Sequence, residues 1–439
     1  MNDSISKYAE DLKQLYVNLN NVGTLQFQKE GADFYVPLYE RKLRRLKVAL
    51  TLDTSTQDCF YIYGQPGSGK STALNYFDDD DLRNSYELVL IRGRYLFDLQ
   101  DIDIIDILLM FALELLKRLR KKDMFEATIR KLYDQHKEKA EYVQEEAQRE
   151  GANVNANVGL GIPFTKLLSL FVGAHANIEA EYHLETEKRE LCRKFFNISK
   201  VDFWAMINQM IRQYAVENNQ KQILVIWDDL EKIEKPSQIR DIFIENRSYL
   251  TDLQCKKIII TPVCLALEAK FLHQDSKEYF LGLKIKESIR GGVHSALEED
   301  CELLRKIALK RVSNTALYGK DVIDTAIRYS GGNVRQFVRL LASACLNAYM
   351  NKCESISMED VVEAVSSLKK NMQPVLMGNR SLLLLLDSIR KNQFGCQENN
   401  DVLTIALSSL FIFICQNGDW WSTVNPLLED SISLYLNEG

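Results

Sequence analysis

The sequence predicts an α/β fold: a five-stranded, mostly parallel sheet with helices on both faces, then an all-helical stretch, then a short unit of helices and one β-hairpin. Three observations lead there. A glycine-rich loop, Gly64-Gln65-Pro66-Gly67-Ser68-Gly69-Lys70-Ser71-Thr72, sits between an apolar run, Phe60 to Tyr63, and a helix-compatible run, Thr72 to Phe77. From Cys59 to Ile285 short apolar runs alternate with segments of helical periodicity, the pattern of a sheet covered by helices. Beyond Gly291 apolar residues recur only at three- and four-residue spacing until a last hairpin signal near the C-terminus.

The loop matches G-x-x-x-x-G-K-[ST] in full, the Walker A pattern. Gly64, Gly67 and Gly69 let the backbone turn without Cβ clashes, so that N–H groups point inward at a phosphate. Lys70 adds a point charge for the terminal phosphates of ATP, and Ser71 offers a hydroxyl to Mg²⁺. Ser68 and Thr72 complete the expected nucleotide-binding set, with the N-terminus of the following helix contributing its partial positive charge.

The second chemical signal is Ile223-Leu224-Val225-Ile226-Trp227-Asp228-Asp229. A buried strand that delivers two carboxylates at its C-terminal end fits a Walker B segment, with Asp228 holding Mg²⁺ and Asp229 orienting or deprotonating the attacking water. The next strand, Lys257 to Pro262, ends in Thr261, whose hydroxyl can reach a phosphate or serve a turn before Pro262. Ser330-Gly331-Gly332-Asn333-Val334-Arg335 places an arginine in the first turn of a helix, where the dipole disfavours cations. Arg335 is therefore read as facing a phosphate, with a surface arginine as the alternative.

The remaining elements follow in order. Residues 4–19 and Tyr39 to Leu50 carry helical periodicity, the second with a basic run of Arg41, Lys42, Arg44, Arg45 and Lys47 that reads as a solvated face. Glu87 to Arg92 is a strand, Ile102 to Lys122 a long helix, and Phe125 to Glu150 a highly charged one. Gly151 to Tyr182 alternates polar and apolar residues around a greasy centre, which predicts an inserted β-hairpin, either packed on the core or used as an interface. Phe203 to Glu217 is helical, and Tyr279 to Ile285 supplies the fifth strand. Helices follow over Leu297 to Val312, Val322 to Tyr329, Val334 to Asn351, Met358 to Lys370, Ser381 to Lys391 and Val402 to Leu410. Phe411 to Gln416 and Asp419 to Val424 then form a hairpin on Asn417-Gly418. The expected organisation is 1–50 as N-terminal helices and linker, 51–290 as the α/β domain with an insertion at about 123–200, 291–371 as a helical lid, and 372–439 as a winged-helix-like unit.

Composition narrows the function classes. A formal charge of −6 gives no whole-protein attraction to nucleic acid or anionic membrane. The nine cysteines are scattered without C-x-x-C, which argues for reduced thiols in a cytoplasmic protein and against a zinc site. Val402 to Gly418 is uncharged but too polar and short for a comfortable membrane span, so it is read as core.

The succession Gly64 to Thr72, Ile223 to Asp229, Thr261 and Ser330 to Arg335 resembles AAA+ or STAND-type P-loop NTPases, specifically the initiator (origin-recognition) branch of AAA+ proteins. Leu224 to Ile233, Lys257 to Val263 and the terminal Asn417-Gly418-Asp419-Trp420-Trp421 with Asn425 to Leu428 are similar to bacterial P-loop ATPases of that general type. The resemblance implies that ATP and Mg²⁺ are bound and hydrolysed through Lys70, Ser71, Asp228 and Asp229, with Thr261 and Arg335 sensing the γ-phosphate. It also implies a homo-oligomer or a protein partner, with antiphage defence as one setting. Two departures matter: Asp229 stands where many relatives carry glutamate, and no arginine lies between Thr261 and Tyr279. Slow switching is thereby favoured over ring-type hydrolysis. A winged helix would allow duplex DNA, but Val402 to Val424 contains no lysine or arginine, so DNA is not the favoured partner.

Overall fold

A computed structural model of the protein describes residues 2–20, 32–52, 58–77, 80–96, 98–120, 196–197, 199–268, 277–286, 296–393, 400–417 and 419–437, with 127, 131 and 193. The expected charged helix over 125–150 and the inserted hairpin over 151–182 lie outside these residues.

Helix α1 spans Asn2–Asn20 and α2 spans Glu40–Leu52, followed by strand β1, Cys59–Tyr63. The glycine-rich loop leads into α3, Lys70–Phe77, and then come α4 (Asp80–Ser85), β2 (Tyr86–Arg92), α5 (Gly93–Leu96) and α6 (Ile104–Arg118). Asp103 caps α6 in a reciprocal capping box with Asp106, which fixes the helix start two residues after the expected Ile102. Nearly every residue from Ile104 to Leu116 is buried, as an apolar helix surrounded by protein should be.

Next in the chain are α7 (Lys200–Glu217), β3 (Gln222–Asp228), α8 (Pro236–Arg240), a π-turn over Asp241–Glu245, α9 (Ser248–Thr251), β4 (Lys256–Thr261) and β5 (Lys277–Tyr279). The five strands form one sheet in the order β2-β3-β4-β1-β5. β3 runs parallel to β2 on one side and to β4 on the other. Being central, β3 is buried from Ile223 to Asp228, which explains a continuous apolar run in place of alternation.

The fifth strand differs from expectation, ending at Tyr279 where the run Tyr279 to Ile285 was anticipated. Phe280 still donates its N–H to Tyr63 O at 2.7 Å, but Leu283 donates to Gly332 O at 2.9 Å. The apolar side chains of this run enter buried surroundings, Phe280 against Tyr39, Leu281 in the core with Leu382 and Ile412, and Leu283 in the core with Phe337, and periodicity cannot separate that use from a strand.

The C-terminal part consists of α10 (Ala296–Leu309), α11 (Val322–Ser330), α12 (Val334–Met350), α13 (Met358–Met377), α14 (Arg380–Asn392), α15 (Asn400–Ser408), the hairpin strands β6 (Ile412–Asn417) and β7 (Asp419–Val424), and α16 (Glu429–Asn437). Helix α13 continues past the expected Lys370 through Pro374. Helix α16 was not anticipated. In the hairpin Asn417 pairs with Asp419, so the tip falls at Gly418, outside the described residues.

By its contacts the chain divides into two units, one of Met1–Lys47, Ile62–Asp78 and Thr261–Gly439, the other of Val48–Tyr61 and Asp79–Ile260. In the first, Leu12, Leu15 and Leu19 of α1 join Phe337, Leu341 and Ala344 of α12 in one core. A second core there gathers Leu382 and Leu386 with Ile412, Val424 and Ile432. In the second unit, Phe111 of α6 meets Trp227 of β3 edge-on at 5.6 Å between ring centroids. Among the described residues no helix is long and apolar enough to cross a membrane.

Candidate functional site

The loop between β1 and α3 owes its shape to donors from three parts of the chain. Lys70, 2% exposed, folds back so that Nζ donates to Gly64 O at 2.9 Å and Gln65 O at 2.7 Å. Pro66 O accepts from Asn333 Nδ2 at 2.8 Å, and Gly67 O from the Arg335 N–H at 3.1 Å. Ser68 O accepts from the Tyr39 hydroxyl at 2.7 Å. Five consecutive carbonyls, Gly64 to Ser68, are thus engaged by protein donors. Of the N–H groups of Gln65, Gly67, Ser68 and Gly69, only that of Ser68 is taken among the described contacts, by Gln65 O at 3.3 Å. A loop whose acceptors are all satisfied internally has only donors left to offer, which is what an anion requires.

Gly67 shows why its residue type is needed. Its φ is +81°, and a Cβ there would lie 2.7 Å from both Arg335 Cβ and Asn333 Oδ1. The close partner is the start of α12, where Asn333 caps the helix by accepting from the Gln336 N–H at 3.0 Å. Gly331 and Gly332, with φ of +61° and +80°, form the turn before that cap.

Tyr39, at the start of α2, also donates to Leu281 O at 2.6 Å and stacks on Phe280 at 4.4 Å. Burial holds its phenol protonated well above the ordinary range, so it stays a donor. Lys42 donates to Tyr279 O and lies 5.7 Å from the centre of the Tyr39 ring. Burial pulls its ammonium pKa down. The basic run is therefore not uniformly a solvated face: Arg44 is exposed, but Lys42 is part of the support under the loop. Thr261, fully buried at the end of β4, has no bonded partner for its hydroxyl among the described residues, and neither has Ser68. Ser71 and Thr72 occupy the first turn of α3, each half-buried.

The acids stand in the other unit. Asp228 and Asp229 are 2% and 0% exposed at the end of β3. Asp229 has a left-handed φ of 71° and donates its N–H to Asp228 Oδ1 at 2.8 Å. Its carboxylate is bracketed by cations: Arg94 Nε lies 3.3 Å from Oδ2, and Lys232 contacts Oδ1. Neither cation was singled out in the sequence. Lys232 sits three residues on, a spacing that could have raised it, whereas Arg94 follows β2 and gave no signal.

Asp228, Asp229 and Glu231 can each bring one carboxylate oxygen within 4.8 Å of the others, and all three are buried. Three hard oxygen donors held together suit a divalent cation such as Mg²⁺, and the charge they concentrate is partly offset by Arg94 and Lys232. Glu231 is an addition to the acids expected from the sequence.

Residues 52–157 match the family model of an AAA domain. Among curated proteins none is similar in sequence. Solved structures similar to the chain include Cdc6p from Pyrobaculum aerophilum, with 13% identity, 93% of this chain and 98% of that one covered, and a TM-score of 0.38. The Aeropyrum pernix ORC2 protein, in ADPNP-ADP complexes, has 12% identity, coverage of 93% and 97%, and a score of 0.42. A Walker-type ATPase of Pyrococcus abyssi has 11% identity, coverage of 96% and 99%, and a score of 0.44. All three scores lie under 0.5, so the chemistry of the site has to come from its own residues.

Proposed function

We propose that this chain binds ATP with Mg²⁺ and hydrolyses it slowly, and that the nucleotide state controls assembly with protein partners or further copies of the chain. The observation that carries the reading is the engagement of the Pro66, Gly67 and Ser68 carbonyls by Asn333, Arg335 and Tyr39, which leaves those acceptors occupied when Lys70 turns to a ligand. Lys70 would turn from the Gly64 and Gln65 carbonyls to the phosphates, and Ser71 would supply a hydroxyl to the cation. Asp228, with Glu231 beside it, would supply carboxylate ligands. Mg²⁺ would neutralise phosphate charge when bound. Asp229 would orient the attacking water and accept its proton, while Thr261 and Arg335 would respond to the terminal phosphate. A setting in antiphage defence is an implication of the AAA+/STAND resemblance alone.

Calorimetry on Lys70→Ala tests the reading. Binding of MgATP should weaken at least about a hundredfold, the cost of losing a charge-assisted contact in a buried site. Unchanged affinity would remove Lys70 from the site.

An initiator-like DNA-binding ATPase is the second reading, and the hairpin speaks against it. Trp421 is 3% exposed, and Trp420 rests edge-on against Tyr279 at 4.7 Å, so both rings are occupied internally. With no cation in β6 or β7, duplex binding should be weak with a shallow salt slope. Tight duplex binding that collapses with salt and vanishes on deleting residues 372–439 would favour the initiator-like reading.

A further inference from the structure

We infer that Gln65 is a positioning residue through which the C-terminal hairpin sets the shape of the glycine-rich loop, so that nucleotide binding and hairpin docking strengthen each other. The inference rests on the nucleotide reading above. Among the described residues strand β6 pairs with β7 alone, which leaves its other edge with backbone groups to satisfy. Gln65, 1% exposed, meets that edge with its carboxamide: Nε2 donates to Ile412 O at 2.5 Å, and Oε1 accepts from the Ile414 N–H at 3.1 Å. Residues 412 and 414 present their backbone groups on the same side of the strand, so one side chain takes the place of a third strand.

The same residue is tied to the loop's chemistry. Gln65 O accepts from Lys70 Nζ at 2.7 Å and from the Ser68 N–H at 3.3 Å. Fixing the side chain on β6 therefore fixes the peptide whose carbonyl takes the Ser68 N–H and, until a phosphate draws it away, Lys70. The hairpin is itself well seated. Asn425, just past β7, and Gln336 of α12 exchange amide hydrogen bonds of 3.0 and 3.1 Å. Phe413 packs so closely on the Gly331 turn that a Cβ on Gly331 would come within 2.2 Å of its ring. Gln65 thus joins the loop to a firmly anchored element, and an anion that needs the loop in one shape gains from that anchoring. By reciprocity, the bound anion stabilises the docked hairpin.

Gln65→Leu keeps much of the volume and removes both bonds. In the full chain it should weaken MgATP by up to about tenfold, the ceiling reached if the two hydrogen bonds hold only in the loop shape that binds the anion. Exchange of the Ile414 amide should accelerate, and MgATP should slow that exchange in the wild type but not in the variant. Trp420→Leu loosens the hairpin; because its partner Tyr279 also stacks on Tyr63 just before the loop at 5.4 Å, the double variant separates that route from the one through Gln65. Trp420→Leu should weaken MgATP in the same direction and add little to Gln65→Leu in the double variant. A merely structural glutamine would not make Ile414 exchange respond to nucleotide. Should Gln65→Leu fail to fold, Trp420→Leu and the nucleotide response of Ile414 in the wild type still decide. Unchanged MgATP affinity in both variants, or Ile414 exchange indifferent to nucleotide, overturns the proposal. If the wild type binds no nucleotide at all, the nucleotide reading fails as well; that case is recognised because Gln65→Leu still accelerates Ile414 exchange.

Discussion

Asp229 carries two burdens that pull in different directions. As the residue expected to take a proton from water it needs an available oxygen, yet Arg94 and Lys232 engage one oxygen each. Replacement by asparagine preserves shape while removing both the proton acceptor and the charge between the two cations. Asp229→Asn should therefore retain MgATP binding, lower phosphate release by about 10²- to 10⁴-fold, and also lower the melting temperature. Phosphate-release kinetics beside calorimetry will separate these effects; full turnover in the variant would move the base elsewhere, Asp228 and Glu231 being the other acids of the cluster. The aspartate pair was legible because a buried strand ending in two acids is a strong local pattern. Arg94 was not, since a cation that reaches its partner across 135 residues leaves no spacing to read.

At the scale of elements, the turn before α12 shows how a glycine can be fixed by its neighbours. A Cβ on Gly332 would lie 1.8 Å from Leu283 O, at a φ of +80°. Gly332→Ala should cost more than about 3 kcal/mol through backbone displacement added to left-handed strain. Gly378→Ala, whose Cβ would meet nothing nearer than Pro374 O at 3.8 Å, should change stability by less than about 0.5 kcal/mol. Thermal melts of the two variants give the comparison directly, and equal losses would contradict the packing argument. Strands β1 to β4 and the C-terminal helices could be read because their apolar periods are long and unbroken. The fifth strand ends before 280–285 because the apolar side chains of that run fill buried cores beside the sheet, a tertiary demand that leaves the same mark on sequence as a buried strand. Tyr39, Gln65 and Asn333 lay in plain view beside the motifs, but their roles depend on partners far along the chain.

For the whole molecule, thiols and phenols shape the response to alkali: Cys255 and Cys345 are buried, Cys59, Cys264 and Cys415 half-buried, and burial also raises Tyr39, Tyr214, Tyr279 and Tyr318. Burial pushes Cys59 and Cys264 up to about 11, and Cys255, Cys345 and Cys415 up to about 12. Thiols whose pKa is higher folded than unfolded contribute stability that is complete below the unfolded value near 9 and is lost as pH rises through 11 to 12. Three buried cations act the other way: burial lowers Lys42 and Lys257, and brings Arg311 to about 10. Their contribution rises with pH over the range between folded and unfolded values. The thiols together with the raised tyrosines act against the three cations, so the melting temperature should fall above about pH 9. A flat profile from about pH 9 to 11 in melts under reducing conditions would show that the thiols are not kept protonated by burial.

The bond from Gln65 to Ile412 spans 347 residues, and that distance has a meaning in time. A ribosome adding roughly 5–20 residues per second needs tens of seconds to pass from one to the other. Throughout that interval the nascent glycine-rich loop lacks the strand edge that shapes it, and for most of it Asn333 and Arg335 as well. The loop is thus synthesised well before the elements that give it its form. An unfinished chain, released before α12 and the hairpin are made, would carry the complete motif without the surroundings that make it a binding site.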